Sequence, residues 1–254
     1  MPRVASNGIS IEYRVEGDGP PLILQHGFID SSESWYELGY VDGLKAKHRV
    51  ILPDTRGHGR SDKPHDPRAY TPELFATDII TVLDDAGVGK VFFWGYSQGG
   101  TIALAMAKYA AERLAGLVIG GAAAAGSAYP SEPGKGDPLI DVLRRGPGEV
   151  MKAFGEWLTP ALEERLRAND AAALIACREQ RLVTPSYSDI VGKIAVPTLM
   201  YAGNADPIHE PARQTASQIP GARFISLPGQ GHIAVRSQPD LILPQVRKFL
   251  EEVY

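Results

Sequence analysis

Apolar runs and helical stretches alternate along the 254-residue chain. Ile9-Ser10-Ile11-Glu12-Tyr13-Arg14-Val15 switches between apolar and polar positions, the period-two signature of a half-exposed antiparallel strand. Residues 21–25, 48–52, 91–94, 114–119, 197–201 and 222–227 are instead continuous apolar runs. Such runs suit parallel strands covered by helices on both faces. Helical pattern fills the intervals at 72–86, 99–113, 210–218 and 239–253. Thr71-Pro72-Glu73 opens the first of these with an N-cap hydroxyl and a proline at the first helical position. An alternating series with an antiparallel start predicts an α/β fold with a doubly wound, mostly parallel sheet.

One segment breaks the rhythm. Residues 121–196 contain no convincing strand, and 129–138 are dense in proline, glycine and serine. Short helices are predicted at 139–145, 148–158, 160–168 and 170–182. The expected organisation is a core in two parts, 1–121 and 191–254. A helical lid, 122–190, is inserted after the sixth strand in the order of the fold and covers the sheet edge.

Composition narrows the setting. Hydrophobic residues make up 44% and charged residues 22%, enough apolar material for one large core. The net charge of −4, with no more than two adjacent Lys/Arg residues, argues against nucleic acid and anionic membranes as partners. The N-terminal stretch lacks an apolar signal core, and the longest apolar region, 101–128, is interrupted by Lys108, Glu112 and Arg113. Cys177 is the only cysteine, so no intrachain disulfide forms and a cytoplasmic location is expected. Scattered histidines and acids give no metal-ligand spacing, and no glycine fingerprint implies a nucleotide. No cofactor is expected; the partner is a small-molecule substrate, and the sequence is silent on oligomeric state.

The chemistry centres on Gly95-Tyr96-Ser97-Gln98-Gly99, placed between an apolar strand and an Ala-rich helix. In that context G-x-S-x-G is a nucleophile elbow, a tight turn that lifts the serine hydroxyl out of the sheet. A serine hydroxyl needs a base. His232, in Pro228-Gly229-Gln230-Gly231-His232, follows the last predicted strand, at the sheet edge where ligands bind. Asp206 ends the glycine-containing loop after the strand 197–201 and is placed to orient that base.

In the order Ser97, Asp206, His232 the chain resembles the α/β-hydrolase fold superfamily, and within it a serine esterase or lactonase. The resemblance covers nearly everything outside the lid. Its other motifs are Gln25-His26-Gly27-Phe28, Asp54-Thr55-Arg56-Gly57-His58-Gly59-Arg60-Ser61 and Gly203-Asn204-Ala205-Asp206. It implies an oxyanion hole made by the backbone N–H groups of Phe28 and Gln98, each worth about 3–4 kcal/mol in the transition state. It also implies structural roles for His26 and His58. Many relatives carry methionine where this chain has Gln98, whose amide is free either to meet a substrate or to face a neighbouring loop.

Other groups have plainer readings. His48 and His65 read as surface residues, and His209 lies too close to Asp206 to be placed independently of it. Asp54 and Asp78 precede the nucleophile, and Asp54 is expected to brace the Arg56 turn. Cys177, in a helical apolar run, reads as an inert buried thiol. Trp35, Tyr96, Tyr129, Trp157, Phe154 and Met151 are candidates to line an apolar substrate pocket, although aromatics at helical spacing are more often lid core.

By the resemblance, relatives that cleave carbon–halogen bonds or open epoxides carry aspartate at the elbow, so Ser97 points away from both. Acyl transfer to water, on a small or medium carboxylic ester or lactone, is the leading expectation. Its alternatives are a hydrolase of carbon–carbon bonds in ring-cleavage products (vinylogous diketones) and a haloperoxidase-type perhydrolase; Ser97 does not separate the base-only lyases and cofactor-independent dioxygenases of the fold, many of which keep a Ser/His arrangement. A receptor or binding module of the same fold is the reading outside catalysis, and it would be free to lose the groups that this chain retains.

Overall fold

The computed structural model describes residues 2–125, 137–152 and 154–253. Eight strands form one sheet: β1 (Arg3–Ser6), β2 (Ile9–Glu16), β3 (Pro21–Gln25), β4 (Arg49–Pro53), β5 (Val91–Tyr96), β6 (Leu114–Gly120), β7 (Thr198–Gly203) and β8 (Arg223–Leu227). They lie in the order β1-β2-β4-β3-β5-β6-β7-β8. β2 runs antiparallel to β1 and β4, and every other neighbouring pair is parallel. The order reverses between β3 and β5, and the crevice beyond their carboxyl ends is where open α/β sheets bind ligands.

Before the sixth strand come helices α1 (Glu33–Glu37), α2 (Tyr40–Leu44), α3 (Pro72–Asp85) and α4 (Gln98–Tyr109). Between β6 and β7 lie α5 (Pro138–Arg145), α6 (Pro147–Lys152), α7 (Pro160–Ala168) and α8 (Ala171–Val183). The chain ends with α9 (His209–Gln218), α10 (His232–Arg236) and α11 (Pro239–Val253).

Each buried strand feeds two cores, because successive side chains point to opposite faces. In β3, Ile23 belongs to the core shared with α3, α4 and α9, whereas Leu22 and Leu24 belong to the core shared with α2 and α11. This is why the strands are apolar throughout rather than alternating. A third cluster, Leu143, Val150, Met151, Phe154, Leu162, Leu166 and Leu174, holds α5–α8 together and meets Phe28, Ile29 and Ile233 of the core.

The doubly wound parallel sheet agrees with the pattern in the sequence; some elements differ. β1 was not expected: it is four residues long and forms a hairpin with β2 through a tight turn at Asn7-Gly8, Val4 opposite Ile11, with Arg3 bonded to Glu12 at 3.0 Å. α1, α2 and α10 have five residues each, too few to display a 3.6-residue period. The predicted helix 148–158 is divided, since Gly155 takes φ 48° at a turn of 3₁₀-helix, Gly155–Trp157. No described helix is long and apolar enough to cross a membrane.

Candidate active site

Ser97 sits between β5 and α4 with φ 55° and ψ −113°, a conformation that L-residues rarely adopt. The glycines on either side make this turn possible. A Cβ on Gly95 would lie 2.0 Å from the carbonyl oxygen of Gly99, and one on Gly99 would lie 2.1 Å from that of Gln25. Both obstacles are backbone, so neither yields. Strain of this kind persists only where its surroundings over-determine it, and it clusters at functional sites.

The structure brings Ser97, His232 and Asp206 together from three segments. His232 Nε2 lies 2.9 Å from Ser97 Oγ, and His232 Nδ1 lies 2.6 Å from Asp206 Oδ2. The Asp206 side chain is 1% exposed, and its other oxygen accepts from the Ile208 amide at 3.0 Å. A buried acceptor on one ring nitrogen places the proton there and frees the other nitrogen to face the serine. The two loops are stapled to each other: Ala205 N donates to Gln230 O at 3.1 Å, and Asn204 N to Leu227 O at 3.0 Å. The Tyr96 hydroxyl donates to the His232 carbonyl at 2.5 Å and pins the start of α10. His209, the rival base, turns away to Ser226 Oγ at 2.8 Å.

The loop after β3 faces this group. His26 Nε2 accepts from Thr55 N at 3.0 Å, so Nδ1 carries the proton and donates to Gly27 O at 2.8 Å. His58 lies fully buried against it, and burial, helped by His26, pushes the His58 imidazole down to about 3. His58 is therefore a neutral ring, and both histidines serve as scaffold for the loop. The backbone N–H groups of Phe28 and Gln98 have no partner among the described residues. Ile29 takes φ 62°, costly for a β-branched residue, and is gripped from α7's end by Asn169 Nδ2, 2.8 Å from Ile29 O. Next to it, Asp30 is buried between Arg165 of α7, at 3.1 Å, and Arg236, at 3.2 Å.

A cavity of about 210 Å³ opens over Ser97 and His232, more than ten times the ~10–15 Å³ one water needs. Its walls include Phe28, Tyr70, Phe75, Leu143, Val150 and Phe154. Of the predicted pocket residues, Tyr96 and Phe154 border it. Met151 belongs to the cluster inside α5–α8 and does not border it. Trp157 also lies outside its lining. Trp35 is a correction: it packs edge-on against Tyr40 and Trp94 beneath the sheet, beside a void of only about 10 Å³. Tyr129 falls outside the described residues.

Other expectations resolve in detail. The Gln98 amide faces a neighbouring element, with Nε2 3.3 Å from Cys177 Sγ on α8. Burial pushes that thiol up to about 12, which removes it as a nucleophile at neutral pH. Asp54 braces the Arg56 turn as expected, accepting the amides of Ser32 and Arg60, each at 2.8 Å. The Arg56 side chain itself is held by Asp78, through two 2.6 Å bonds in a buried fork. Among the described residues, no group of three or more His, Cys, Asp or Glu is arranged to hold a metal. The sequence reading missed Arg165 and Asn169, which tie α7 to the loop after β3, and the cavity residues Arg178, Arg181 and Tyr187.

The sequence profile of the alpha/beta hydrolase fold matches residues 20–184, more than half the chain. The chain belongs to the alpha/beta hydrolase family. Its solved relatives span essentially the whole alpha/beta hydrolase unit. A thermophilic esterase from Thermogutta terrifontis is 26% identical, with a TM-score of 0.80 over 99% of this chain and 98% of its own. The enol-lactonase from Burkholderia xenovorans LB400 is 25% identical, with a TM-score of 0.80 over 98% of this chain and 100% of its own. Epoxide hydrolase 3 of Siraitia grosvenorii is 34% identical, but over 116 residues, 45% of this chain and 36% of that protein. The chain thus spans about a third of the length of the curated epoxide hydrolases it matches.

Proposed function

We propose that the protein is a serine hydrolase that cleaves a small or medium carboxylic ester or lactone through an acyl-enzyme on Ser97. The observation that carries this reading is the continuous relay Ser97 Oγ to His232 Nε2 at 2.9 Å and His232 Nδ1 to Asp206 Oδ2 at 2.6 Å. Full-length likeness to an esterase and an enol-lactonase supports it. Ser97 at the elbow sets the chain apart from the epoxide-opening relatives.

His232 takes the Ser97 proton as the hydroxyl attacks the substrate carbonyl, and Asp206 stabilises the imidazolium that results. The developing oxyanion is met by the N–H groups of Phe28 and Gln98. His232 then hands its proton to the leaving alkoxide. A water repeats the sequence on the acyl-enzyme, with His232 again as base. The segment α5–α8 serves as a lid, presenting Leu143, Val150 and Phe154 to the acyl chain while excluding water from the intermediate.

Turnover of p-nitrophenyl acetate tests the assignment. The Ser97→Ala protein should lose about 10⁴-fold or more in kcat. Equal rates in the two proteins overturn it. A panel of lactones, short esters and vinylogous diketones separates the bond cleaved: diketone turnover with inert esters would replace acyl-oxygen cleavage by carbon–carbon cleavage.

A further inference from the structure

The cavity over Ser97 is walled mainly by apolar side chains, yet three arginines border it: Arg178, Arg181 and Arg236. Two of them are neutralised. Arg178 Nε is bonded to the buried Asp137 at 2.6 Å, and Arg236 pairs with Asp30 at 3.2 Å. Arg181 is different. Its side chain makes no hydrogen bond or ion pair with any described residue, and it is only partly exposed. Burial, together with the neighbouring charge of Arg178, lowers its pKa from the usual arginine value. The other groups close enough to act on it are the Tyr187 hydroxyl and the Cys177 thiol, both pushed up to about 12 and so uncharged at neutral pH. A half-desolvated guanidinium without a counter-charge is costly, and the cost is recovered when an anion arrives.

Tyr187 supplies a second, independent observation. Its side chain is 2% exposed and borders the same cavity, and its hydroxyl has no hydrogen-bond partner among the described residues. Buried tyrosine hydroxyls ordinarily find one. A cation with a planar fork of donors and a neutral hydroxyl donor thus border the same cavity, open to it and not bonded to any described residue. No described carboxylate pairs with either.

The placement relates this pair to the chemistry. Cys177, one helical turn before Arg181 on α8, touches the side chain of Gln98, the residue after Ser97. Residues four apart share a helix face, about 6 Å along the axis, and side chains lean toward the helix N-terminus, here toward Ser97. We infer that Arg181 and Tyr187 form a seat for a carboxylate carried by the substrate, so that the ester or lactone presented to Ser97 is an anion with an apolar spacer. The inference rests on the reading of Ser97 as the nucleophile. The planar fork of arginine matches a carboxylate with two parallel bonds, and the tyrosine adds a third donor.

Two substrates with the same acyl carbon count test this: p-nitrophenyl hydrogen adipate, an anion, and p-nitrophenyl hexanoate, its neutral counterpart. The ratio of their kcat/KM values should favour the adipate in the wild type. Arg181→Met, which keeps the apolar stem, should lower that ratio at least tenfold, mainly through KM, and Tyr187→Phe should lower it severalfold. The same ratio in all three proteins overturns the inference. Calorimetric binding of adipate to Ser97→Ala and to Ser97→Ala/Arg181→Met gives a readout without turnover. Weaker binding in the double variant supports the seat even if Ser97→Ala retains activity, a result that would sink the nucleophile assignment alone. Equal binding removes the seat and leaves the nucleophile standing.

Discussion

Beneath the cavity, the turn around Ser97 is set by backbone against backbone: Gly95 against Gly99 at 2.0 Å, and Gly99 against Gln25 at 2.1 Å, for the Cβ atoms that glycine lacks. Above it, α5–α8 are held by side chains. Leu143, Val150, Phe154 and Leu174 pack on one another, Arg178 holds Asp137, and Arg165 and Asn169 reach down to the loop after β3. The floor leaves the backbone that carries the Ser97 hydroxyl almost no freedom. The roof can be reshaped one side chain at a time without disturbing the elbow. An enzyme built this way keeps one chemistry and changes its substrate, because the two are specified by different kinds of contact.

The sharpest test of the division is a substitution that alters the floor's chemistry and leaves its shape. Asp206→Asn preserves the volume of a side chain that is 1% exposed, but it favours the wrong imidazole tautomer on His232. We expect kcat on p-nitrophenyl acetate to fall about 10⁴-fold, with an unchanged far-UV spectrum. Binding of a substrate analogue should be nearly unaffected, since the roof makes those contacts. A fall confined to KM would show that floor and roof are not separable.

The same substitution at two glycines should then give opposite signs. Gly99→Ala forces a methyl group into the Gln25 carbonyl, a backbone atom that cannot step aside, and should cost at least about 3 kcal/mol of stability together with activity. Gly148 in α6 has nothing within 4 Å of its would-be Cβ. There alanine should stabilise by about 0.5–1 kcal/mol through better helix propensity. Denaturant midpoints of the two variants measure the contrast, and equal shifts would refute it.

How much of this could be read from the residues alone follows the same division. The elbow was legible because glycines on both sides of a serine, between a buried strand and a helix, leave few alternatives. Asp206 and His232 were legible because each follows a predicted strand, and strands end at one edge. The roof was not. Trp35 reads as pocket or as core, and only its packing on Tyr40 and Trp94 decides. Asp54 and Asp78 are both near Arg56 in reach, and the choice of Asp78 depends on how α3 docks. In Cys177-Arg178-Glu179-Gln180-Arg181, the charges look like a solvated helix face. That Arg178 has a counter-ion and Arg181 has none among the described residues is a property of Asp137, 41 residues from Arg178 in the chain and beside it in space.

The smallest effect belongs to the junction of floor and roof. Asn169 holds the carbonyl of Ile29, whose φ of 62° sets the course of the chain beside the Phe28 N–H. Asn169→Ala removes one hydrogen bond worth about 1 kcal/mol, so the loop samples other conformations and kcat should fall about three- to tenfold, with little change in KM. If KM alone rises, Asn169 serves the roof and not the oxyanion site. The neighbouring tie gives a pH signature. Burial opposes the charge of Asp30, yet Arg236 and Arg165 outweigh it and hold the carboxyl below the usual aspartate value of about 3.9. A lowered native value means that the stability it contributes is present above the unfolded value and is lost as pH falls through the native one. Wild type should therefore exceed Asp30→Asn in stability at neutral pH, and the gap should narrow only below about pH 4, as read from denaturant midpoints across the acid range. A gap that stays constant down to the acid limit would mean that Asp30 acts through its hydrogen bonds alone, without the charge that joins roof to floor.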